Sequence, residues 1–363
     1  MEKNQIFIKT GTKYKKMTRE LLEESNLAEL IGDKNKMVGI KPNLVSPSDP
    51  ANGGTTHPEI VAGILEYLKE NGFKNSMILE GSWVGDRTAD AFEVCGYRQL
   101  CEDYDVEFYD TQKDKSYTKD CCGLELKICE SVKKVDFLIN VPVMKGHCQT
   151  KITCDLKNMK GLIPNTEKRH FHSMGLHKPI AHLNVGIHQD FIVVDNICGD
   201  LDFEDGGNPV VMNRIWTAMD PVLVDAYVCQ QLHYKVSDVP YVKLAGELGV
   251  GCSDITKADI RVLGEDVQQN IPERRKVVEV ADAVEEVDSC SACYGYFIPA
   301  LDMLKQEGLL EKLHEKICIG QGYRGKTGEL GVGNCTRNFK HHAEGCPPTE
   351  NQIYEFLKEY ISK

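Results

Sequence analysis

The stretch Phe137-Leu138-Ile139-Asn140-Val141-Pro142-Val143 is strongly apolar and predicts a strand at the centre of a sheet. Shorter runs of the same kind at 37–40, 77–79, 106–109, 191–195 and 260–263 predict further strands. Helical patterns separate several of them, as in the segment that begins at Pro58 and ends at Gly72. This alternation predicts an α/β fold, mainly a parallel sheet with flanking helices.

The chain length and a local change in composition predict two domains. A chain of 363 residues is long enough for about two domains. The composition shifts in the segment 270–275, so we expect an α/β domain with anion-binding loops at 1–270 and a smaller, cysteine-bearing C-terminal α/β subdomain at 271–363.

Charge and hydropathy exclude several classes of protein. The 43 Lys and Arg residues against 55 Asp and Glu give a net charge of −12, which argues against a nucleic-acid partner. No run of about 18 apolar residues occurs, so no membrane span is expected. The first residues lack the pattern of a signal peptide, and we therefore expect a cytoplasmic protein.

Fifteen cysteines in a reducing compartment suggest a soft-metal site. Cys290 and Cys293 form a C-x2-C pair, a spacing that lets both thiolates face one small volume. Cys335 and Cys346 lie in glycine-rich loops and could complete a four-thiolate site. A 4Fe-4S cluster is the favoured cofactor and zinc the alternative; four unrelated thiols are the other interpretation.

The segment from Lys145 to Asn184 is polar and resembles a loop. It holds five of the eleven histidines and six lysines, and it follows the apolar strand at the sheet edge where α/β proteins bind ligands. Such a cluster of cations predicts an anionic ligand, although a solvated basic loop is also consistent. The candidates are His147, Lys157 and His170 for proton transfer, and Lys145, Lys160 and His172 for binding.

A second candidate anion site follows the strand at 37–40. Lys41 and Asn43 come directly after that strand, and Thr56 and His57 precede the helix that begins at Pro58. The free amides at a helix start attract anions, so these four residues are assigned to substrate binding. A plain helix cap explains the same residues equally well.

Several motifs together resemble a known family. Lys41-Pro42-Asn43, Thr56-His57-Pro58-Glu59 and Lys157-Asn158-Met159-Lys160-Gly161, followed by Asp220-Pro221-Val222 and Gly249-Val250-Gly251, resemble the bacterial and archaeal family called domain of unknown function 362. Many members carry a ferredoxin module with repeated C-x2-C spacing, which this chain lacks. The resemblance implies a single cluster held by Cys290, Cys293, Cys335 and Cys346, and it implies no substrate.

A weaker similarity concerns His147, Lys157 and Pro164. Their order is similar to a loop of the nickel-dependent lactate racemase family, in which the histidine and lysine face a hydroxy acid. The glycines that separate the two in that family are absent here. No residue corresponds to the lysine that carries the nickel cofactor. The resemblance implies a shared architecture rather than the racemase reaction.

The sequence therefore predicts an iron–sulfur oxidoreductase that acts on a small anionic substrate. The alternatives are a hydroxy-acid isomerase or lyase of lactate-racemase-like architecture, and an electron-carrying or redox-sensing binding protein. The expected partners are a small anionic ligand, a ferredoxin-type electron donor and a second copy of the chain in a homodimer, with neither nucleic acid nor membrane.

Overall fold

The structure is a computed structural model that describes residues 1–202, 204, 206, 209–265, 271, 279–280, 282–289 and 291–362, without the side chains of 291 and 292. The chain divides into two compact units. The first comprises Met1–Arg169 and His177–Ile271; the second comprises His170–Leu176 and Pro272–Lys363. Cys290 lies outside the described residues.

An eight-stranded sheet forms the centre of the first unit. Its order is β12-β1-β11-β10-β7-β2-β3-β4, and every strand except β11 runs in one direction. Two antiparallel hairpins, β5-β6 and β8-β9, accompany it. The strands are β1 Gln5–Thr10, β2 Val38–Pro42, β3 Ser76–Glu80, β4 Glu107–Asp110, β5 Ser116–Asp120, β6 Glu125–Cys129, β7 Phe137–Val141, β8 Lys145–His147, β9 Lys151–Thr153, β10 Phe191–Asp200, β11 Pro209–Ala218 and β12 Asp259–Val262.

The helices that precede residue 260 are α1 Tyr14–Glu24, α2 Leu27–Ile31, α3 Pro58–Glu70, α4 Thr88–Val94, α5 Tyr97–Tyr104, α6 Asp155–Asn158, α7 Asn165–Met174, α8 His177–Gly186, α9 Pro221–Gln231 and α10 Pro240–Glu247. Helix α3 buries eight of its 13 residues, among them Ile60, Ile64 and Leu68, which recur every four residues. Strands β2 and β7 are buried along their whole length, which is typical of central parallel strands covered by helices on both faces. The predicted α/β class is confirmed.

The second unit contains a four-stranded parallel sheet of its own. The strands β13 Val284–Glu286, β14 Ile317–Ile319, β15 Leu330–Val332 and β16 His341–Ala343 pair in that order. The helices α11 Ser291–Gln306 and α12 Glu350–Ile361 accompany this sheet. Phe297, Leu301 and Leu357 from these helices are buried, so this sheet has an apolar core beside it.

One local prediction from the sequence was wrong. The segment 145–184 is not a loop, because it contains the β8-β9 hairpin and helices α6, α7 and α8. Helices α4 and α5 are separated at Gly96, whose φ of 80° interrupts the helical path. Among the described residues, no helix has the length and apolar character needed to cross a membrane.

Candidate functional site

The candidate site lies where three neighbouring parallel strands end. Lys41 is near the end of β2, Glu80 is the last residue of β3, and β7 leads through Val141 into the segment with Lys145. Parallel strands present their carboxyl ends at one edge of the sheet, the edge at which open α/β sheets bind ligands. The chain therefore brings polar groups that are distant in sequence to one place.

Lys41 is fully buried and hydrogen-bonded to three acceptors. Its ammonium group forms an ion pair with Glu80 and donates to Asn158 Oδ1 at 3.0 Å and to Pro42 O at 2.7 Å. Burial lowers the pKa of Lys41, and the Glu80 carboxylate opposes this effect. All three N–H donors have protein acceptors, so Lys41 organises the site and has none left for a ligand.

Asparagine side chains extend this network towards the helix α6. Asn43 Nδ2 donates to Asn158 Oδ1 at 2.8 Å, and Asn158 Nδ2 donates to Asn140 Oδ1 at 2.7 Å. Asn140 Nδ2 in turn donates to Asp155 Oδ1 at 2.9 Å. Since Asn158 contacts Lys41 as well, the position of the segment that follows it is fixed by the ends of β2 and β7.

Gly161 packs directly against the buried ion pair. A Cβ atom at this position would lie 2.1 Å from Glu80 Oε1 and 2.6 Å from Lys41 Nζ. The carbonyl of Gly161 accepts a hydrogen bond of 2.6 Å from Thr111 Oγ1. Only glycine fits this close approach, which explains the glycine in the motif at 157–161.

Asp225 on α9 anchors the start of α6. Its two carboxylate oxygens accept from Asp155 N at 2.8 Å and from Leu156 N at 3.2 Å, so it satisfies free amides of that short helix. Burial raises the pKa of Asp225 to about 7. The anchor orients α6, on which Lys157 lies.

The ammonium group of Lys145 also donates three hydrogen bonds to acceptors of the protein. Its Nζ donates to Asn43 Oδ1 at 2.9 Å, to Gly54 O at 2.5 Å and to Glu204 O at 2.7 Å. Thr56 Oγ1 accepts from Asn43 N and donates to Val141 O, both at 2.8 Å. These predicted binding residues build the walls of the site.

A cation pocket, formed by His147, Lys157 and Lys160, lies beside this network. A carboxylate of the protein itself occupies it: Glu204 forms an ion pair with Lys157, and its Oε2 lies 3.2 Å from His147 Nε2. Desolvation would raise the pKa of Glu204, yet the neighbouring charge of Lys157 holds it well below its usual range. The pocket therefore contains an ionised carboxylate.

His147 is neutral and its ring orientation is fixed. Its Nδ1 accepts from Gln149 N at 2.9 Å and from Thr150 N at 3.0 Å, which places the ring proton on Nε2. Burial lowers the pKa of His147 to about 4. Nε2 is buried, and among the described residues it has no hydrogen-bond partner despite its proximity to Glu204. It is a donor directed at the pocket.

Lys160 has no hydrogen-bond or ion-pair partner within the part of the chain that the structure describes. Desolvation and the charge of Lys157 lower its pKa to about 7, the carboxylate of Glu204 opposing them. Lys168, by contrast, donates to Gly81 O at 2.8 Å and to Ser82 O at 2.7 Å. At neutral pH a substantial fraction of Lys160 is therefore a free amine.

The remaining predicted residues lie elsewhere. His57 contacts Asp195, with Nδ1 2.9 Å from Asp195 Oδ2, and its side chain makes no helix-cap hydrogen bond. His170 and His172 belong to the second unit, where His170 is exposed and His172 half-buried. The structure thus brings together His147, Lys157 and Lys160, and their assigned roles stay predictions.

Three cysteines of the second unit, Cys293, Cys335 and Cys346, lie on segments that contact one another. Cys293 is buried, and its Sγ would lie 3.1 Å from a Cβ atom at Gly333. The loops of Cys335 and Cys346 are joined by bonds from Asn334 N to Gly345 O at 2.8 Å and from Gly345 N to Asn334 Oδ1 at 3.0 Å. Among the described residues, which exclude Cys290, no group of three or more His, Cys, Asp or Glu side chains is arranged for a metal ion.

Sequence reasoning missed two carboxylates of the site. Glu80 follows an apolar strand just as Lys41 does, so its position at a strand end was a usable signal. Glu204 lies in an acidic stretch between β10 and β11, and no local pattern connects it with lysines 44 or more residues away.

A family model described as domain of unknown function (DUF362) matches residues 38–230, which is more than half of the chain. The chain belongs to this family. The predicted resemblance is confirmed, and the matched region contains Lys41, Glu80, the cation pocket and Asp225.

Two further similarities are more limited. The chain is 28% identical over 138 residues to the thylakoid-associated protein sll1697 of Synechocystis sp., which covers 37% of this chain and 41% of that protein. The lactate racemase apoprotein from Thermoanaerobacterium thermosaccharolyticum superposes with a TM-score of 0.42 at 14% identity, over 64% of this chain and 57% of that one. Both cover less than two thirds of the matched protein.

The buried ion pair of Lys41 predicts a large effect of Glu80→Gln on stability. The substitution leaves a buried ammonium without its counter-charge, so we expect the free energy of unfolding to fall by about 3–5 kcal/mol. Urea denaturation followed by tryptophan fluorescence measures this, because both tryptophans, Trp83 and Trp216, lie in the first unit.

The control is Glu130→Gln, which removes the exposed ion pair with Lys133 and should cost less than about 1 kcal/mol. Equal effects of the two substitutions would contradict the organising role of the Lys41–Glu80 pair.

Proposed function

We propose that this protein is an enzyme that binds a small carboxylate in the cation pocket and moves a proton on it. The observation that carries the proposal is the position of the Glu204 carboxylate against Lys157 and His147. A carboxylate of a substrate would find the same complementary charge there. The Glu204 side chain is 29% exposed, so an incoming anion can compete with it from solvent.

Two donors in the pocket support recognition of a substrate that carries a second polar group. His147 Nε2 is a buried donor without a hydrogen bond within the described residues, which is costly. Lys160 is half-buried, and its Nζ has no hydrogen bond within the described residues either. A hydroxyl or carbonyl oxygen next to the carboxylate would satisfy them. A hydroxy acid or oxo acid is the class of substrate with this arrangement.

The protonation states favour proton transfer by these residues. Lys160, with a pKa of about 7, can accept a proton at neutral pH. His147, with a pKa of about 4, stays neutral and donates a hydrogen bond from Nε2 without transferring charge. The ammonium group of Lys157 binds the carboxylate of the substrate. General acid–base catalysis of this kind contributes typically about 10²–10⁴-fold in rate.

Oxidoreduction is the first form of this proposal, and it depends on a 4Fe-4S cluster in the second unit; the segments of three of its cysteines are in contact there, although their side chains do not form a metal-ligating group among the described residues. Cys293, Cys335 and Cys346 are on segments in contact, and Cys290 is three residues before Cys293. These four thiolates would hold the cluster, and Gly333 leaves space beside Cys293 Sγ. A cluster with four thiolate ligands supplies electron transfer, and a ferredoxin-type partner would be the donor.

Hydroxy-acid isomerisation is the second candidate. A free amine of pKa about 7 beside a bound carboxylate is suited to removing a proton from the neighbouring carbon. An isomerase would exchange that proton with solvent deuterium in the absence of any electron acceptor, and an oxidoreductase would require the acceptor.

Carboxylate binding should increase when the internal carboxylate is removed. For Glu204→Ala we expect acetate, lactate and oxalate to bind about tenfold more tightly, since the competitor is gone. Isothermal titration calorimetry at pH 6.5 measures this. Affinity should fall as the pH rises through about 7, because Lys160 then loses its positive charge.

Lys157→Met should abolish the binding, whereas the control Lys178→Met removes an exposed lysine of α8 and should leave it unchanged. If neither Glu204→Ala nor Lys157→Met alters the affinity, the cation pocket is not the carboxylate site.

The cysteine assignment predicts iron and sulfide in anaerobically purified protein. We expect about four of each per chain and broad absorbance near about 400 nm from thiolate-to-iron charge transfer. The variants Cys293→Ser and Cys346→Ser should lose the bound iron and sulfide and the absorbance. The control Cys122→Ser changes an exposed cysteine of the first unit and should retain them. A colourless protein with one zinc would contradict the cluster.

A further inference from the structure

A second group of reactive side chains lies in the first unit, apart from the cation pocket. Cys198 on β10, His57 before α3 and Asp195 on β10 form a chain of contacts. His57 Nδ1 lies 2.9 Å from Asp195 Oδ2, and His57 Nε2 lies 3.9 Å from Cys198 Sγ. A thiol, an imidazole and a carboxylate in this order have the arrangement of an activated nucleophile.

Asp195 fixes the imidazole from the other side. Its Oδ2 accepts from His57 N at 2.8 Å as well as facing Nδ1, and its Oδ1 accepts from Ile197 N at 3.0 Å. Asp195 is fully buried, so this carboxylate holds a proton on Nδ1 and turns Nε2 towards the sulfur. Tyr14 is also nearby, its ring centroid 5.9 Å from that of His57.

The imidazole that faces the thiol carries a positive charge. Burial would lower the pKa of His57, but Asp195, together with Cys198, raises it to about 10. An imidazolium beside a cysteine stabilises the thiolate. Sγ also donates to Pro50 O at 3.4 Å and to Ala51 O at 3.7 Å, so the thiol lies between these carbonyl oxygens and the imidazole.

We propose that Cys198 is a peroxide-reactive thiol, with His57 as its proton donor and Asp195 as a positioning residue. The Cys198 side chain is close to inaccessible, with 3% of the residue exposed, so the reactant must be small and uncharged, such as hydrogen peroxide. The proposal is independent of the carboxylate site, since the cation pocket uses none of these three residues.

The reaction balances without a further reactant. The Cys198 thiolate attacks one peroxide oxygen, an S–O bond forms and the O–O bond breaks. The leaving hydroxide takes the proton from His57 Nε2 and becomes water. The sulfur is oxidised by two electrons to a sulfenic acid, which thiols can reduce again, and the peroxide is reduced.

Cys95 provides a matched internal control. It is 1% exposed and contacts the same loop, with Sγ 3.2 Å from Ser48 O, but it has no imidazole partner among the described residues. Burial raises the pKa of the Cys95 thiol. Cys95 and Cys198 are thus similarly buried and contact the same loop. They differ in that Cys198 has a histidine next to its sulfur.

Timed exposure of the native, reduced protein to hydrogen peroxide tests the proposal. After quenching with catalase, the protein is unfolded, remaining thiols are alkylated, and mass spectrometry measures free thiol at each cysteine. We expect Cys198 to react at least about tenfold faster than Cys95 at pH 7, because the imidazole beside Cys198 can stabilise the attacking sulfur and protonate the leaving oxygen. His57→Gln should remove this difference, provided that circular dichroism confirms a folded variant.

Equal rates for Cys198 and Cys95 in the native protein would overturn the proposal, whether or not the variant folds. If His57 is purely structural, the rate of Cys198 oxidation should be the same in His57→Gln as in the native protein, and this result would also contradict the proposal.

Discussion

The burial of the Lys41 ammonium group is the constraint on which the rest of the site depends. A charge at this depth is stable only with a counter-charge and a full set of hydrogen bonds, and Glu80, Asn158 and Pro42 O provide them. Asn158 links this ion pair to the segment that carries Lys157 and Lys160. The positions of the pocket cations therefore follow from a requirement of the core.

The same principle explains why the cation pocket can exist in a protein of net charge −12. Lysines close together repel one another, and desolvation adds to that cost. Lys145 and Lys168 are stabilised by carbonyl oxygens, and Lys157 by Glu204. Lys160 has no such acceptor within the described residues, and desolvation and the charge of Lys157 lower its pKa. An arrangement with one lysine left without an acceptor is suited to a ligand that arrives from outside.

Much of the fold could be predicted from the sequence, because apolar runs and helix ends are local signals. The strand at 137–143 and the helix from Pro58 lie where their patterns place them. The segment 145–184 could not be predicted in this way: its many polar residues suggested a loop, whereas Lys145, Lys157 and Lys168 are buried because distant carboxylates and carbonyls compensate their charges. Contacts such as Lys157 with Glu204, or His57 with Cys198, join residues whose spacing forms no motif.

The protonation state of Lys160 is the most direct test of this account. With lysines labelled by ¹³C at the ε-carbon, the resonance that disappears in Lys160→Arg can be assigned and followed by NMR from pH 5 to pH 11. The account predicts that this resonance titrates near pH 7. Titration near 10.4, the value of an ordinary lysine, would mean that Lys160 is solvated and fully charged, and would contradict the proposed chemistry of the pocket.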